Sequence, residues 1–294
     1  MRVSQRLLID SAVQRLQQNQ EALEETRTQI ATGRRIIKPD DDPQGTQQAM
    51  NLRTYLNGVQ SSLRNLSYSR DWMEATEQSL GSLADVLSSA RLKALQAAND
   101  SLSATERQSS AASVRELFKQ ATVIANTEHR GQSLFAGHRV DRQPFVADTA
   151  NLTVTYQGDS GSISHEIEPG SQMVVNVAGS DALFSTAFAA LHDLVAALEA
   201  NDTTQIRAAI DSLDQAADLT LQQRSTIGSR VKTLDAANAR LEQFQVNLQS
   251  LLSQAEDVDM PEAILKSSSY EMGYQATLAA MSKIMPRSLF DYLG

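Results

Sequence analysis

The sequence predicts a mainly α fold: a long antiparallel helical bundle or coiled coil formed by both chain ends, carrying a small inserted antiparallel β domain. Three observations predict it. Apolar residues recur at every seventh position in three stretches: Ile9, Leu16, Leu23, Ile30 and Ile37; then Leu52, Val59, Leu66, Met73, Leu80 and Leu87; then Ile227, Leu234, Leu241 and Leu248. A seven-residue apolar period keeps one narrow stripe of a helix turned toward a partner helix. The prolines stand at 39, 43, 144, 169, 261 and 286, so residues 44–143 and 170–260 contain none. Proline inside a helix costs about 3 kcal/mol, and both reaches are free to form long helices. Between them the period drops to two, and Gly131, Gly137, Gly158, Gly161, Gly170 and Gly179 crowd into the same short segment.

The first helix is expected to begin near Ser4 and run to about Ile30, with Gly33 marking its end. A turn-rich loop follows, Lys38-Pro39-Asp40-Asp41-Asp42-Pro43. Asp42 reads as the N-cap of the next helix, with Pro43 at its first position. That helix carries the second repeat to about Ala98, with Gly58 and Gly81 as weak points. Ser103-Ala104-Thr105-Glu106 is a capping box, so a third helix starts there and covers Val114, Leu117, Phe118 and Ile124. In the middle segment Leu152, Val154 and Tyr156 alternate with threonines, Ile163, His165 and Ile167 alternate with polar residues, and Met173, Val175 and Val177 continue the pattern. Gln157–Gly161 and Glu168-Pro169-Gly170 supply turn chemistry between them. A small antiparallel sheet from about Phe135 to Val177 is expected.

Helices should resume at Ala182–Glu199. Asp202 with Gln205 caps the next one, which holds the third repeat. Asp259-Met260-Pro261-Glu262 either caps a last helix or kinks a continuous one. The expected division is therefore residues 1–45 with 255–294 as terminal coiled-coil helices, 46–134 with 180–254 as a helical core, and 135–179 as the β-rich insert.

Composition narrows the function. The chain has 294 residues, 41% hydrophobic but only 5% aromatic, which suits Leu/Ala helix seams. A net charge of −9 disfavours a nucleic-acid partner, and the longest basic run is Arg34-Arg35. No cysteine is present, which excludes disulfides and thiolate chemistry. Leu7-Leu8-Ile9 is broken at once by Asp10, so the N-terminus does not read as a cleavable signal. No stretch is expected to approach the roughly 18 apolar residues of a membrane span. The four histidines, at 129, 138, 165 and 192, have no metal-ligand spacing and read as surface or loop residues. Asp40-Asp41-Asp42 lacks the alternating ligands and closing Glu of a calcium loop and reads as a solvated turn with an N-cap. No phosphate-binding, dinucleotide or nucleophile-elbow motif occurs; no catalytic, cofactor or metal site is expected. Trp72, beside Met73 of the second repeat, reads as a packing anchor.

The second repeat reads as closing the protein's own bundle. The first differs, because the positions paired with it, Val13, Gln20 and Arg27, are mostly polar. A helix that buries so little does not offset its own chain entropy. It needs a partner, most simply the C-terminal helix.

Thr32-Gly33-Arg34-Arg35-Ile36, then Asp41-Asp42, Gly45 and Ala49-Met50-Asn51-Leu52-Arg53 resemble the N-terminal signature of the bacterial flagellin-like family. Arg224-Ser225-Thr226-Ile227-Gly228 with Leu234, Asn247-Leu248, Ser253, Asp257-Val258-Asp259 and Glu262 resemble its C-terminal signature. The opening Met1-Arg2-Val3-Ser4 is also similar. The ending, Met281 to Leu293, is unlike a filament subunit and is similar to the hook–filament junction branch of the family. The resemblance covers about residues 1–140 and 182–294 and leaves the middle sheet unmatched.

That resemblance implies a structural component of the bacterial flagellum, not an enzyme. It implies export, unfolded, through the flagellar type III apparatus without signal cleavage. It implies an extracellular ring of subunits at the hook–filament junction, seated on the first hook-associated junction protein, with flagellin or the filament cap protein beyond. The terminal helices would form the inner tube. Implied partners are other copies of the chain, those flagellar proteins and a flagellar export chaperone; no nucleic acid and no membrane. The expected interface comprises Ile9, Leu16, Leu23, Ile30, Leu278, Met281 and Met285, with Arg34, Asp41 and Asp42 in a loop at a subunit contact. A short flagellin filament subunit and a cytoplasmic coiled-coil adaptor are the alternative readings.

Overall fold

The structure is a computed structural model that describes residues 2–168 and 170–284. Its helices are α1 (Arg2–Thr32), α2 (Pro43–Ala97), α3 (Ala104–Ala125), α4 (Ala182–Glu199), α5 (Thr203–Glu256) and α6 (Met260–Ile284). Between α3 and α4 lie β1 (Glu128–His129), β2 (Gln132–Ser133), β3 (Phe145–Asp148), β4 (Thr153–Tyr156), β5 (Ser164–Glu168) and β6 (Ser171–Val174). The chain divides into two compact units: Met1–Gly58 with Phe244–Gly294, and Val59–Gln243. The mainly α class with its inserted antiparallel strands is as the sequence predicts.

Helix ends follow local chemistry. Gly33 closes α1 in the left-handed region at φ 70°, and its N–H donates to Gln29 O at 2.8 Å. Asp42 Oδ1 accepts from Gly45 N at 2.8 Å and starts α2. The Ser103–Glu106 capping box forms in both directions. Asp202 Oδ1 accepts from Thr204 N and Gln205 N. Asp259 Oδ1 accepts from Glu262 N at 3.2 Å, so the break before α6 is a capped start and not a kink.

In the second unit, α2 and α5 run antiparallel. Arg70 pairs with Asp235, Arg224 with Glu77 and Arg91 with Asp214, one number falling as the other rises. The repeat positions Val59, Leu66, Met73, Leu80 and Leu87 on α2, and Ile227, Leu234 and Leu241 on α5, are all buried. Gly81 does not interrupt α2: the Arg224 guanidinium lies across it, within 3.7 Å of where a Cβ would stand. Arg107, buried at the start of α3, donates to Ala97 O, Asn99 O and Asn201 Oδ1. It thereby satisfies the carbonyls at the end of α2 and ties them to the α4–α5 turn. α4 has the length and hydropathy of a membrane span, against expectation. Its Leu183, Phe184, Phe188, Leu191, Leu194 and Leu198 are buried, and it packs on α3, as a core helix does.

The strands differ from the expected single sheet. Among the described residues they form three separate antiparallel ladders, β1–β2, β3–β4 and β5–β6. Gln157–Gly161 connects β4 to β5 without pairing them, because it is bonded elsewhere. Asp159 N donates to Ala136 O, and Asp159 Oδ1 accepts from His138 N and Gly161 N. Phe145 of β3 stacks on Phe184 and Phe188 of α4, which anchors the β3–β4 hairpin.

Candidate assembly interface

Residue spacing sets the seam between α1 and α6, which lies within the first unit. On α1, Leu16, Asn19, Leu23, Thr26 and Ile30 are turned from solvent, a three-four spacing. On α6, Ala263, Ser267, Tyr270, Tyr274, Thr277 and Met281 are turned from solvent with the same spacing. The two helices pack along their lengths. They are antiparallel, since Val258 N donates to Gly33 O at 3.0 Å while Asn19 lies beside Gly273 much further along both helices. The positions that complete the α1 stripe are thus Asn19 and Thr26, three residues after the repeat, and not Gln20 and Arg27, four after it. Thr26 Oγ1 satisfies itself on Ala22 O at 2.7 Å. Polar residues at such positions weaken a seam but specify its register.

The repeat residues fall differently along this seam. Leu23 is buried at 7% exposure, and Leu16 and Ile30 are half-buried. Ile9 belongs to α1, where only its backbone is described. Ile37 lies beyond the end of α1, in the loop, and is exposed. On α6, Met281 is half-buried and Leu278 is 43% exposed. Met285 lies outside the described residues.

At one end of the seam, the break between α1 and α2 clasps the break between α5 and α6. Arg34 pairs with Asp257 as an antiparallel bridge, and Arg35 N donates to Glu256 O at 2.7 Å. Glu256 is 7% exposed and takes two guanidinium groups on separate carboxylate oxygens: Arg53 on Oε2, and Arg34 on Oε1 at 3.8 Å. Arg35 reaches Ala255 O at 2.9 Å and Asp42 Oδ2 at 3.1 Å. Asp41 Oδ2 accepts from Lys38 N at 2.7 Å and Ile37 N at 3.0 Å, closing the loop on itself. The backbone amides of Lys38 and Ile37 hold the Asp41 carboxyl below its ordinary value of 3.8. The Gly45 amide and the Arg35 guanidinium do the same for Asp42. A Cβ at Gly45 would strike Asp42 and come within 2.7 Å of Ile36 Cδ1, so a side chain there would displace the capping carboxylate.

Glu256 is the residue that sequence reasoning missed. The signal was present: an acidic residue just before Asp257-Val258-Asp259 in the C-terminal signature, opposite three arginines in the N-terminal one. Pairing across more than two hundred positions is not readable from either segment alone.

Outside the seam, α6 is apolar on a second face. Leu265, Met272 and Ala279 stand at seven-residue spacing and are exposed, flanked by Ile264 and Leu278. Exposed apolar side chains concentrate in this unit, with Leu7, Met50, Tyr55, Phe244 and Leu251 joining those of α6. The second unit, although larger, shows Leu92, Leu95, Val123, Val146 and Leu221. An apolar stripe of this kind has the spacing to bury against another helix.

Residues 3–139 match the bacterial flagellin N-terminal helical region, and residues 210–293 match the bacterial flagellin C-terminal helical region. The chain is 25% identical to a flagellar hook-associated protein 3 of Escherichia coli, over 90% of each chain. It is 22% identical to a flagellin of Halalkalibacterium halodurans, over 91% of this chain and 88% of that one. The crystal structure of Bacillus cereus FlgL superposes with a TM-score of 0.61 at 20% identity, covering 69% of this chain and 99% of that one. That likeness shows a shared fold.

Proposed function

Since this chain belongs to the bacterial flagellin family, we propose that it is a junction protein that joins the flagellar hook to the filament by self-assembly of its terminal helices. It is a structural component of the flagellum, and its work is assembly. The observation that carries the mechanism is the second apolar face of α6: the α1–α6 seam uses one side of the helix and leaves Leu265, Met272 and Ala279 uncovered. Burial of each large side chain on that face contributes roughly 1.5–3 kcal/mol, offset by the cost of ordering the segment.

In this proposal residues 1–45 and 255–294 form the inner tube, 46–134 and 180–254 the helical core, and 135–179 the outer insert. Leu16, Leu23, Ile30 and Met281 hold α1 to α6 within each copy, and copies form a ring through the uncovered face of α6, Leu265, Met272 and Ala279 with Leu278; Ile9 and Met285 belong to the same assembly interface. The loop carrying Arg34, Asp41 and Asp42 meets a neighbouring subunit. The ring sits on the first hook-associated junction protein at the cell exterior and receives flagellin or the filament cap. The chain reaches that place through the flagellar exporter with an export chaperone and without a cleaved signal, and it catalyses no reaction.

Removal of residues 265–294 tests the mechanism. Filaments should detach from hooks, while circular dichroism of the purified protein still reports the helices of Val59–Gln243. Filaments held normally by the truncated chain would refute it. The flagellin relative, matched over 88% of its length, favours one second reading, a short filament subunit. Copy number separates the two: a junction protein is confined to a short band at the hook end in labelled flagella, whereas a filament subunit labels their whole length.

A further inference from the structure

One face of α2 in the second unit carries a polar–aromatic cluster that lies outside the proposed assembly interface. Trp72 stands one turn beyond the adjacent Tyr68 and Ser69, and His165 of β5 lies against Tyr68 and Ser69. The His165 ring is 5.7 Å from the Tyr68 ring, and its Nδ1 is 2.7 Å from Ser69 Oγ. Ser69 Oγ also lies 2.7 Å from Asn65 O, one helical turn back. A hydroxyl has one proton, and the carbonyl can only accept, so Ser69 donates to Asn65 O and accepts from His165 Nδ1–H. That leaves neutral His165 with its free lone pair on Nε2. The imidazole lines a cavity of about 240 Å³ together with Tyr68, Trp72, Val140, Ile163, Val175 and Gln132, whose Oε1 accepts from Tyr68 Oη. A second proton would place a charge among these mostly apolar side chains.

Most carboxylates around the hairpin are already engaged, and Glu128 of β1 is exposed to solvent. On α2, Asp71 is bonded to Arg130 at 2.6 Å, and Arg70 is engaged by Glu74 and Asp235 of α5. On β5, Glu166 accepts from Gly170 N at 2.9 Å, and Glu168 is paired with Arg240 of α5 at 2.7 Å. β6 (Ser171–Val174) has no charged residue. Near β1–β2, His129 lies edge-on to Trp72 at 6.2 Å, and the Arg130 guanidinium is 5.5 Å from the Tyr68 ring centroid, a positive charge on the ring His165 also contacts. His138, across the same cavity, has its Nε2 3.2 Å from Ser162 O.

We propose that His165 is a pH-sensitive latch: neutral, it docks the β5–β6 hairpin on α2; protonated, it releases the hairpin while the Arg240–Glu168 pair still holds the turn end. Burial pushes the docked imidazole below its ordinary value of 6.5, in the same direction. The released hairpin therefore binds the proton more readily than the docked one. Docking is complete above about 6.5, weakens as pH falls through that value, and stops weakening below the lower, docked value. Each unit of depression shifts the docking equilibrium about tenfold.

Trp72 is the single tryptophan of the chain, which makes its emission the reporter. Full-length protein titrated from pH 8 to pH 5 should show a red shift and quenching with a midpoint below 6.5. Hydrogen exchange over β5 and β6, corrected for intrinsic rates, should speed up over the same range. His165→Gln should abolish the transition and His129→Gln should keep it. A transition that is absent, that survives His165→Gln, or that disappears with His129→Gln would overturn the proposal. Should the His165 variant fail to fold, NMR titration of His165 in the unaltered protein decides the matter. An imidazole titrating below 6.5, together with the fluorescence midpoint, supports the latch; one titrating at or above 6.5 overturns it.

Discussion

Glu256 shows how one residue organises a break in two helices at once. Its backbone carbonyl receives Arg35 N, and its carboxylate receives Arg34 and Arg53, all at a place where α5 has just ended. Glu256→Gln keeps the shape and removes the charge. It is expected to lower stability by about 1.5–3 kcal/mol, the range for a hydrogen bond to a charged group, the lower end being favoured by the half-exposed arginines. The midpoint of urea unfolding measures it. Asp41 and Asp42 add a pH dependence of known sign. Both carboxyls are held below 3.8 in the folded chain. Their contribution is therefore full above about 3.8 and is lost as pH falls through the depressed values. Asp42→Asn should keep the cap, since Asn caps as well as Asp, yet flatten the fall in unfolding midpoint between pH 5 and pH 2. Asp42 was legible because a cap is a local matter. Glu256 was not, because its partners lie at the other end of the chain.

At the scale of elements, the helices and their ends were readable from sequence with little error. Capping boxes, proline at the first helical position and a left-handed glycine act within one turn, and nothing distant overrides them. The seam of α1 was read less well. The seven-residue repeat identified Leu16, Leu23 and Ile30, but three and four residues onward are equally near on a helix surface. Only the position of α6 selected Asn19 and Thr26 over Gln20 and Arg27. The histidines were read less well too: His129 and His165 are half-buried against Trp72 and Tyr68, where sequence analysis expected surface or loop residues. Gly273 supplies the test at this scale. A Cβ there would meet the Asn19 side chain at 3.4 Å, an ordinary contact. Gly273→Ala should therefore stabilise the chain by about 0.5–1 kcal/mol through helix propensity, seen as a higher melting temperature. A loss of stability would mean that the seam is tighter at Asn19 than this geometry allows.

At the scale of the whole molecule, the two units differ in how far they satisfy themselves. Val59–Gln243 buries its repeat positions and its aromatic cluster, whereas the terminal unit keeps apolar side chains such as Leu265 and Met272 in solvent. Stability is expected to be uneven in the same sense. In dilute monomer, amides of α1 and α6 should exchange at least tenfold faster than those of α2 and α5 between residues 59 and 243. On assembly this difference should close. Equal protection of all four helices in the monomer would mean that the terminal pair is stable without neighbours.

By itself the sequence determined the helical class, the place of the inserted strands, most helix ends and the family, because each of these depends on period, composition or residues a few positions apart. The tertiary structure decided which side of α1 meets α6, that the strands form three separate hairpins, and that Glu256 gathers arginines from the other end of the chain. Those outcomes depend on which distant groups compete for the same hydrogen bond or the same apolar surface. Spacing along the chain carries no record of that competition until the helices are laid side by side.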